Sequence, residues 1–194
     1  VVIDPAGASD PPGRLLAMAR RNPVQAILLT HGHDDHRLGI PLWKGNREVP
    51  VIAQRELVES LRYQDRLAGF LERRFAAQNG LTPKAPTTAA PTTPVEATVL
   101  FTDRHSLAVG DLHFELVHTG DETPDTSLIW VPELAAAFIG DNFYTSFPNL
   151  ATLRGTKPRW ALDYVRALDA ALALGPAVLL PGHGEPVLGK ARVA

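Results

Sequence analysis

The run His31-Gly32-His33-Asp34-Asp35-His36 constrains this chain more than any other feature. It packs three imidazoles and neighbouring carboxylates into one short loop, directly after the apolar segment Ala26-Ile27-Leu28-Leu29. Side chains alternate along an extended chain, so His31 and His33 are expected on the same side. Asp35 and His36 follow at the start of the next turn, placed to close a second set of donors. Imidazole and carboxylate at this density suit Zn²⁺ or a related first-row metal. A polar loop of merely solvated histidines is the plain alternative. Three His and an acid at the end of a buried strand favour the metal site.

Length and composition set the limits. A chain of 194 residues has room for one good core, so a single domain over 1–194 is expected. With 45% hydrophobic and 21% charged residues it reads as an ordinary globular protein. A net charge of −2 and no basic stripe leave no electrostatic footprint for nucleic acid. Cysteine is absent, which removes disulfides and thiolate ligands and leaves the compartment, cytoplasmic or periplasmic, undecided. No run is long or apolar enough to span a bilayer, and the first residues carry no signal-peptide pattern.

Periodicity and turn chemistry give a βα-like alternation. Val1 to Asp4 reads as a buried strand entering a Pro/Gly turn. A short helix is expected from Gly13 to Arg21, with Leu15, Leu16 and Ala19 as its apolar face and Asn22-Pro23 as its stop. Ala26 to Thr30 and Pro50 to Ala53 read as strands. A long helix is expected from Arg55 to Gln78, its apolar face made of Leu57, Leu61, Ala68, Leu71 and Phe75, with Asn79-Gly80 ending it. Residues 82–98, rich in Pro and Thr, read as a flexible connector on composition, or as a lid or wall over the site. Val99 to Phe101 and Leu112 to Val117 are expected as antiparallel strands joined at Gly110-Asp111. Thr126 to Val131 and Ala135 to Ile139 form a further hairpin around Pro132-Glu133. The last helix is expected from Pro158 to Leu174, with Pro near its first position and Gly175-Pro176 after it.

The order His-x-His-x-Asp-His resembles the signature of the metallo-β-lactamase superfamily, and the likeness runs from the first strand to the end. It implies an α+β fold, a four-layer αβ/βα sandwich whose loops hold two metals along one edge. In the resembled fold several strands precede Val1, so truncation at the N-terminus is expected. A trimmed core, a fragment, and a chain lacking the rest of its sheet all stay open. Three more anchors recur in the family's order: Glu122 in Thr119-Gly120-Asp121-Glu122, Asp141 in Gly140-Asp141-Asn142, and His183 in Pro181-Gly182-His183-Gly184. Each follows an apolar run, Phe114 to Val117, Ala135 to Ile139 and Ala177 to Leu180, as a site on one sheet edge requires. The resemblance implies that His31, His33 and Glu122 hold one metal, that Asp35, His36 and His183 hold the other, and that Asp141 bridges them. Two Zn²⁺ are expected, with Mn²⁺ or Fe as alternatives because a glutamate adds oxygen to the set.

Position 122 is usually histidine in β-lactamases and lactonases; glutamate there looks like the alkyl sulfatase branch. Asn149-Leu150-Ala151-Thr152-Leu153-Arg154-Gly155 is similar to that branch's Asn-Leu-Tyr-Thr-Leu-Arg-Gly motif. Glu72-Arg73-Arg74-Phe75 and Leu81-Thr82-Pro83-Lys84 resemble its Arg-Arg helix and Leu-Pro-Lys exit, whereas its Tyr-rich segment is replaced by Ala76-Ala77-Gln78-Asn79. The implied function is a binuclear hydrolase of sulfate esters using metal-activated hydroxide, with a small anionic ester as substrate. Asp35, Asp141 and Arg154 are the expected catalytic residues. Arg154, Asn149 and Asn142 are expected to hold the substrate, Arg154 through the two-pronged geometry of its guanidinium. Asp34 is expected to support the ligands from behind, whereas His118, four residues before Glu122, takes the plain reading with a supporting contact as the alternative. His113 is expected to be exposed, and His105 to lie in a charged turn. The rival readings are another hydrolase of the superfamily (β-lactamase, lactonase or thioesterase type), a nuclease, and a metal-binding module without turnover. A homo-oligomer is left open.

Overall fold

In a computed structural model of the chain, the described residues are 1–6, 13, 17, 21–82, 94–150, 152 and 157–194. A parallel sheet contains β1 (Val2–Ile3), β2 (Ile27–Leu28), β3 (Val51–Gln54) and β4 (Val99–Phe101), side by side in that order. A second sheet contains β5 (Arg104–Val109), β6 (Leu112–His118), β7 (Ser127–Val131), β8 (Ala136–Gly140), β9 (Val178–Pro181) and β10 (Val187–Leu188), in the order β10-β9-β8-β7-β6-β5. Its pairs are antiparallel except β8 with β9. A parallel pair needs a crossover, and here the crossover carries helix α4 (Ala161–Ala173). The other helices are α1 (Asp34–Arg37), α2 (Ile40–Lys44), α3 (Glu56–Gln78) and α5 (Lys190–Val193).

Residue parity builds the layers. In the segment leading through β2, Ile27 and Leu29 face one cluster with Leu57 and Leu61 of α3, while Ala26 and Leu28 face another. That second cluster joins Ile52 and Phe101 of the parallel sheet to Phe114, Leu116, Ile129 and Val131 of the other. Beyond the second sheet, Leu128, Ala137 and Ile139 pack with Ala171 of α4. Helix, sheet, sheet, helix is the expected four-layer sandwich. A strand buried on both faces must be apolar at successive positions, which is why Ala26 to Leu29 carries no alternation. Each fully buried Leu or Ile here contributes about 1.5–3 kcal/mol.

Several expectations need correction. Strand β1 lies at the edge of its sheet and is only half-buried. The hairpin partner of β6 is β5, across Gly110; β4 instead lies parallel to β3 in the other sheet. His105 is therefore a strand residue, not a turn residue. Antiparallel edge β5 has one face toward solvent, and its charged N-terminal end masks the alternation that marks it. Helix α3 matches its expected span, but Ala68 and Phe75 are exposed while Ala76 is buried. Only its first turns cover the core. Helix α4 starts at Ala161 with Trp160 before it, three residues later than a Pro-first start at Pro158 implies. The short elements β10 and α5 were not anticipated. Most of the helix expected over 13–21, and residues 83–93 of the lid or connector expected over 82–98, lie outside the described residues. No helix among the described residues is long and apolar enough to cross a membrane.

Candidate metal centre

Strand ends deliver the donors to one edge of the sandwich. Chain leaving β2 supplies His31 and His33, and α1 then presents Asp35 and His36. Glu122 lies in the loop between β6 and β7, Asp141 directly after β8, and His183 after β9. These residues fall into two groups: His31, His33, Glu122 and Asp141 form one, and Asp35, His36 and His183 the other. Within each group the donor atoms lie within 4.8 Å of one another. The His31 Nε2 and His33 Nδ1 atoms are 2.8 Å apart, so the two rings do share a side. Asp141 spans the groups: its Oδ1 is 3.3 Å from His36 Nε2, and its Oδ2 is 3.5 Å from His183 Nε2. Asp35 Oδ2 stands 3.1 Å from His183 Nε2. The first group is largely buried, whereas the side chains of Asp35 and His183 are more than half exposed.

The tautomers are set from behind by a residue that sequence reading missed. Asp4 follows β1 with a left-handed backbone, φ 48°, which Asp tolerates better than most residues. Its Oδ2 receives the Thr30 hydroxyl proton at 2.7 Å and lies 2.9 Å from His36 Nδ1. His36 therefore donates from Nδ1 and points Nε2, the atom a metal would take once its proton is displaced, toward Asp141 and His183. Thr30 Oγ1, having donated to Asp4, accepts from His31 Nδ1 at 3.0 Å, which leaves His31 Nε2 without a proton. An Asp closing a strand beside β2 was the only available signal for Asp4. A close approach also fixes Gly182: a side chain there would strike Asp141 Oδ1 and come within 2.6 Å of His36 Cε1.

Electrostatics favour a cation at the centre. Burial, then the neighbouring His33 and His36, hold His31 well below its ordinary pKa, so it is neutral. Burial alone would also lower His36, but hydrogen bonds to Asp141 and Asp4 raise it to about 10. Burial pushes Glu122 up to about 8, against the pull of Arg159 and with the push of Asp141. For Asp141 burial works upward, yet the His36 hydrogen bond and the His31 and His183 rings hold it below the usual carboxylate range. Among the described residues Glu122 Oε2 is a buried acceptor without a hydrogen-bond partner, and Asp141 Oδ1 has only His36 Nε2, at 3.3 Å. Converging imidazole nitrogens, a buried carboxylate oxygen without a partner and no thiolate make a donor set that fits a borderline or hard divalent metal.

Other expected residues fall into place around this centre. Arg154 lies outside the described residues. Asn149 lines the cleft in front of the donors. Asn142 is buried behind them instead, donating to Asp121 Oδ2 at 2.6 Å. Asp34 pairs with Arg37 at 2.5 Å rather than with a donor residue. His118 supports the Glu122 loop at a distance, its Nε2 lying 2.7 Å from the Pro124 carbonyl oxygen. His113 is exposed and paired with Glu133. Arg159 went unnoticed because a helix starting at Pro158 would have absorbed it. It is 6% exposed, with Nη1 at 2.5 Å from Glu122 Oε1 and 3.0 Å from the Asn149 carbonyl oxygen. Its Nη2 is buried without a partner among the described residues. The cleft holds about 960 Å³, and Tyr63, Leu71 and Phe75 of α3 form its apolar wall.

A family model for the metallo-β-lactamase superfamily matches residues 1–183. The chain belongs to the metallo-β-lactamase superfamily. Among curated members it is 28% identical to the linear primary-alkylsulfatase of Pseudomonas sp. (strain ATCC 19151), over 100% of this chain and 41% of that protein. Among solved structures it is similar to the stereoselective inverting sec-alkylsulfatase Pisa1 from Pseudomonas sp., at TM-score 0.79 and 25% identity, over 98% of this chain and 34% of that one. TTHA1623, solved in a di-iron-bound form, aligns at TM-score 0.64 and 25% identity, over 97% of this chain and 83% of that one. The chain therefore spans less than half the length of the alkylsulfatases it resembles.

Proposed function

We propose that this metallo-β-lactamase-fold chain is a binuclear metal-dependent hydrolase of anionic esters, alkyl sulfate esters foremost. His31, His33 and Glu122 would hold one ion; Asp35, His36 and His183 would hold the other, with Asp141 between them. Bound divalent ions would supply Lewis-acid activation of water near neutral pH. The chain's own part is orientation. Asp4 and Thr30 aim the Nε2 atoms of His36 and His31 at the centre, and Gly182 leaves room for Asp141 beside His36. Asp35, exposed at the rim, stands where it can accept a proton from the cleft side.

Arg159 carries the substrate reading. A buried guanidinium with one unpaired nitrogen, opening on the same cleft as the donors, suits an oxyanion that supplies the missing acceptor. Lys157 adds a second cation on the cleft, its Nζ lying 5.1 Å from the Tyr63 ring centroid. The wall of Tyr63, Leu71 and Phe75 suits an alkyl chain. Likeness to two alkylsulfatases supports the same reading.

The test pairs metal analysis with a substrate panel of alkyl sulfate, phosphate, lactam and lactone. Zn²⁺-dependent turnover of the alkyl sulfate above the neutral lactam and lactone is expected. Faster lactam or lactone turnover, with none of the sulfate, would move the chain to another branch of the superfamily.

A further inference from the structure

Two donors of the centre, Glu122 and Asp141, belong to different loops, yet one carboxylate reaches both loops. Asp121 Oδ1 accepts from the backbone N–H of Glu122, and Asp121 Oδ2 accepts from Asn142 Nδ2 at 2.6 Å. Asn142 directly follows Asp141, and the two bonded side chains are 21 residues apart in sequence. Both are nearly out of solvent, at 5% and 7% exposure. Neither lines the cleft, so neither is placed to touch a substrate. A charged acceptor bonded at two points, in a place shielded from water, holds its partners more firmly than a neutral surface contact would.

We infer that Asp121 and Asn142 are positioning residues, a clasp that fixes Glu122 against Asp141 and thereby sets the separation of the two metals. This rests on the proposed binuclear reading. The adjoining loop is tied to the same frame through its backbone, since Gly182 N donates to the Gly140 carbonyl oxygen at 2.5 Å. The clasp therefore governs the spacing from the Glu122 side, where the connection is made by side chains. A residue that merely fills space would affect stability. A clasp would affect how the two ions sense each other.

The decisive comparison uses Mn²⁺-loaded wild type, Asn142→Asp, and the exchanged pair Asp121→Asn/Asn142→Asp, with electron paramagnetic resonance and stepwise Mn²⁺ titration as readouts. Asn142→Asp sets two carboxylates against each other. The exchanged pair restores one donor facing one acceptor and keeps an oxygen for the Glu122 N–H. Wild type is expected to show an exchange-coupled pair of ions. Asn142→Asp is expected to lose the coupling and to bind the second ion about 10- to 100-fold more weakly. The exchanged pair is expected to recover the coupling. A folded Asn142→Asp that keeps wild-type coupling and affinity overturns the clasp alone, and so does an exchanged pair that folds but stays uncoupled. Wild type that binds no coupled pair overturns the binuclear reading and the clasp with it.

Discussion

Arg159 and Glu122 divide the work of a charged site between them. Glu122 Oε1 is already paired with the guanidinium, while its Oε2 is free for a cation. Hydrogen bonds between charged groups contribute about 1.5–3 kcal/mol, so Arg159→Ala should lower kcat/KM for anionic esters by about 10- to 100-fold, mostly through KM. A neutral lactone, measured in parallel, should change far less; equal losses on both would make Arg159 a structural partner of Glu122 only. Protons report on the same residues. Without metal, Glu122 with a pKa of about 8 and His36 with one of about 10 are both protonated at pH 7. A metal needs the bare lone pair, so binding must displace a proton from each, and apparent Zn²⁺ affinity should rise as pH climbs from 6 to 8. Calorimetric titrations in buffers of different ionisation enthalpy should give clearly different heats. Identical heats would mean that neither group is a ligand.

At the scale of elements, the strand ends matter more than the helices. β1 contributes little to the core, yet it delivers Asp4 to His36 and Thr30. Asp4→Ala should weaken the ion held by the His36 group about 10- to 100-fold and the ion of the His31 group, which Asp4 reaches only through Thr30, by less. Stepwise metal titration separates the two, and equal loss of both together with a lowered melting temperature would assign Asp4 to folding rather than to His36. Much of this layout was legible in the sequence. Buried parallel strands announce themselves as continuous apolar runs, and the His-rich loop follows one of them, so β2, β3 and the cluster of candidate ligands after β2 could be read directly. Long-range partners could not. Asp4 and Arg159 reach the centre only because β1 lies beside β2 and because α4 begins after Trp160. Neither fact leaves a local pattern. Strand β5 was lost for a different reason: Asp103, Arg104 and His105 look like a turn until the hairpin with β6 supplies their bonds. In α3 the periodic stripe was real, but its later part faces the cleft, where Leu71 and Phe75 serve as wall rather than core.

Over the whole molecule, the sandwich brings the edges of both sheets to one cleft, so a centre no single element could build is assembled from the segments after β2, β6, β8 and β9. Two divalent ions facing the carboxylates of Asp35, Glu122 and Asp141 would leave the site net positive, while the chain as a whole carries −2. Attraction for an anion would therefore be local, with Lys157 and Arg159, which line the cleft, adding to it. The binuclear centre is tested most directly by anomalous diffraction from crystals of the Zn²⁺-loaded protein, collected on both sides of the zinc absorption edge. Two peaks about 3.5–4 Å apart are expected, one among His31, His33 and Glu122, the other among Asp35, His36 and His183, with Asp141 between them. No peak at His31 and His33, or full occupancy at a position that leaves Glu122 and Asp141 untouched, would contradict it.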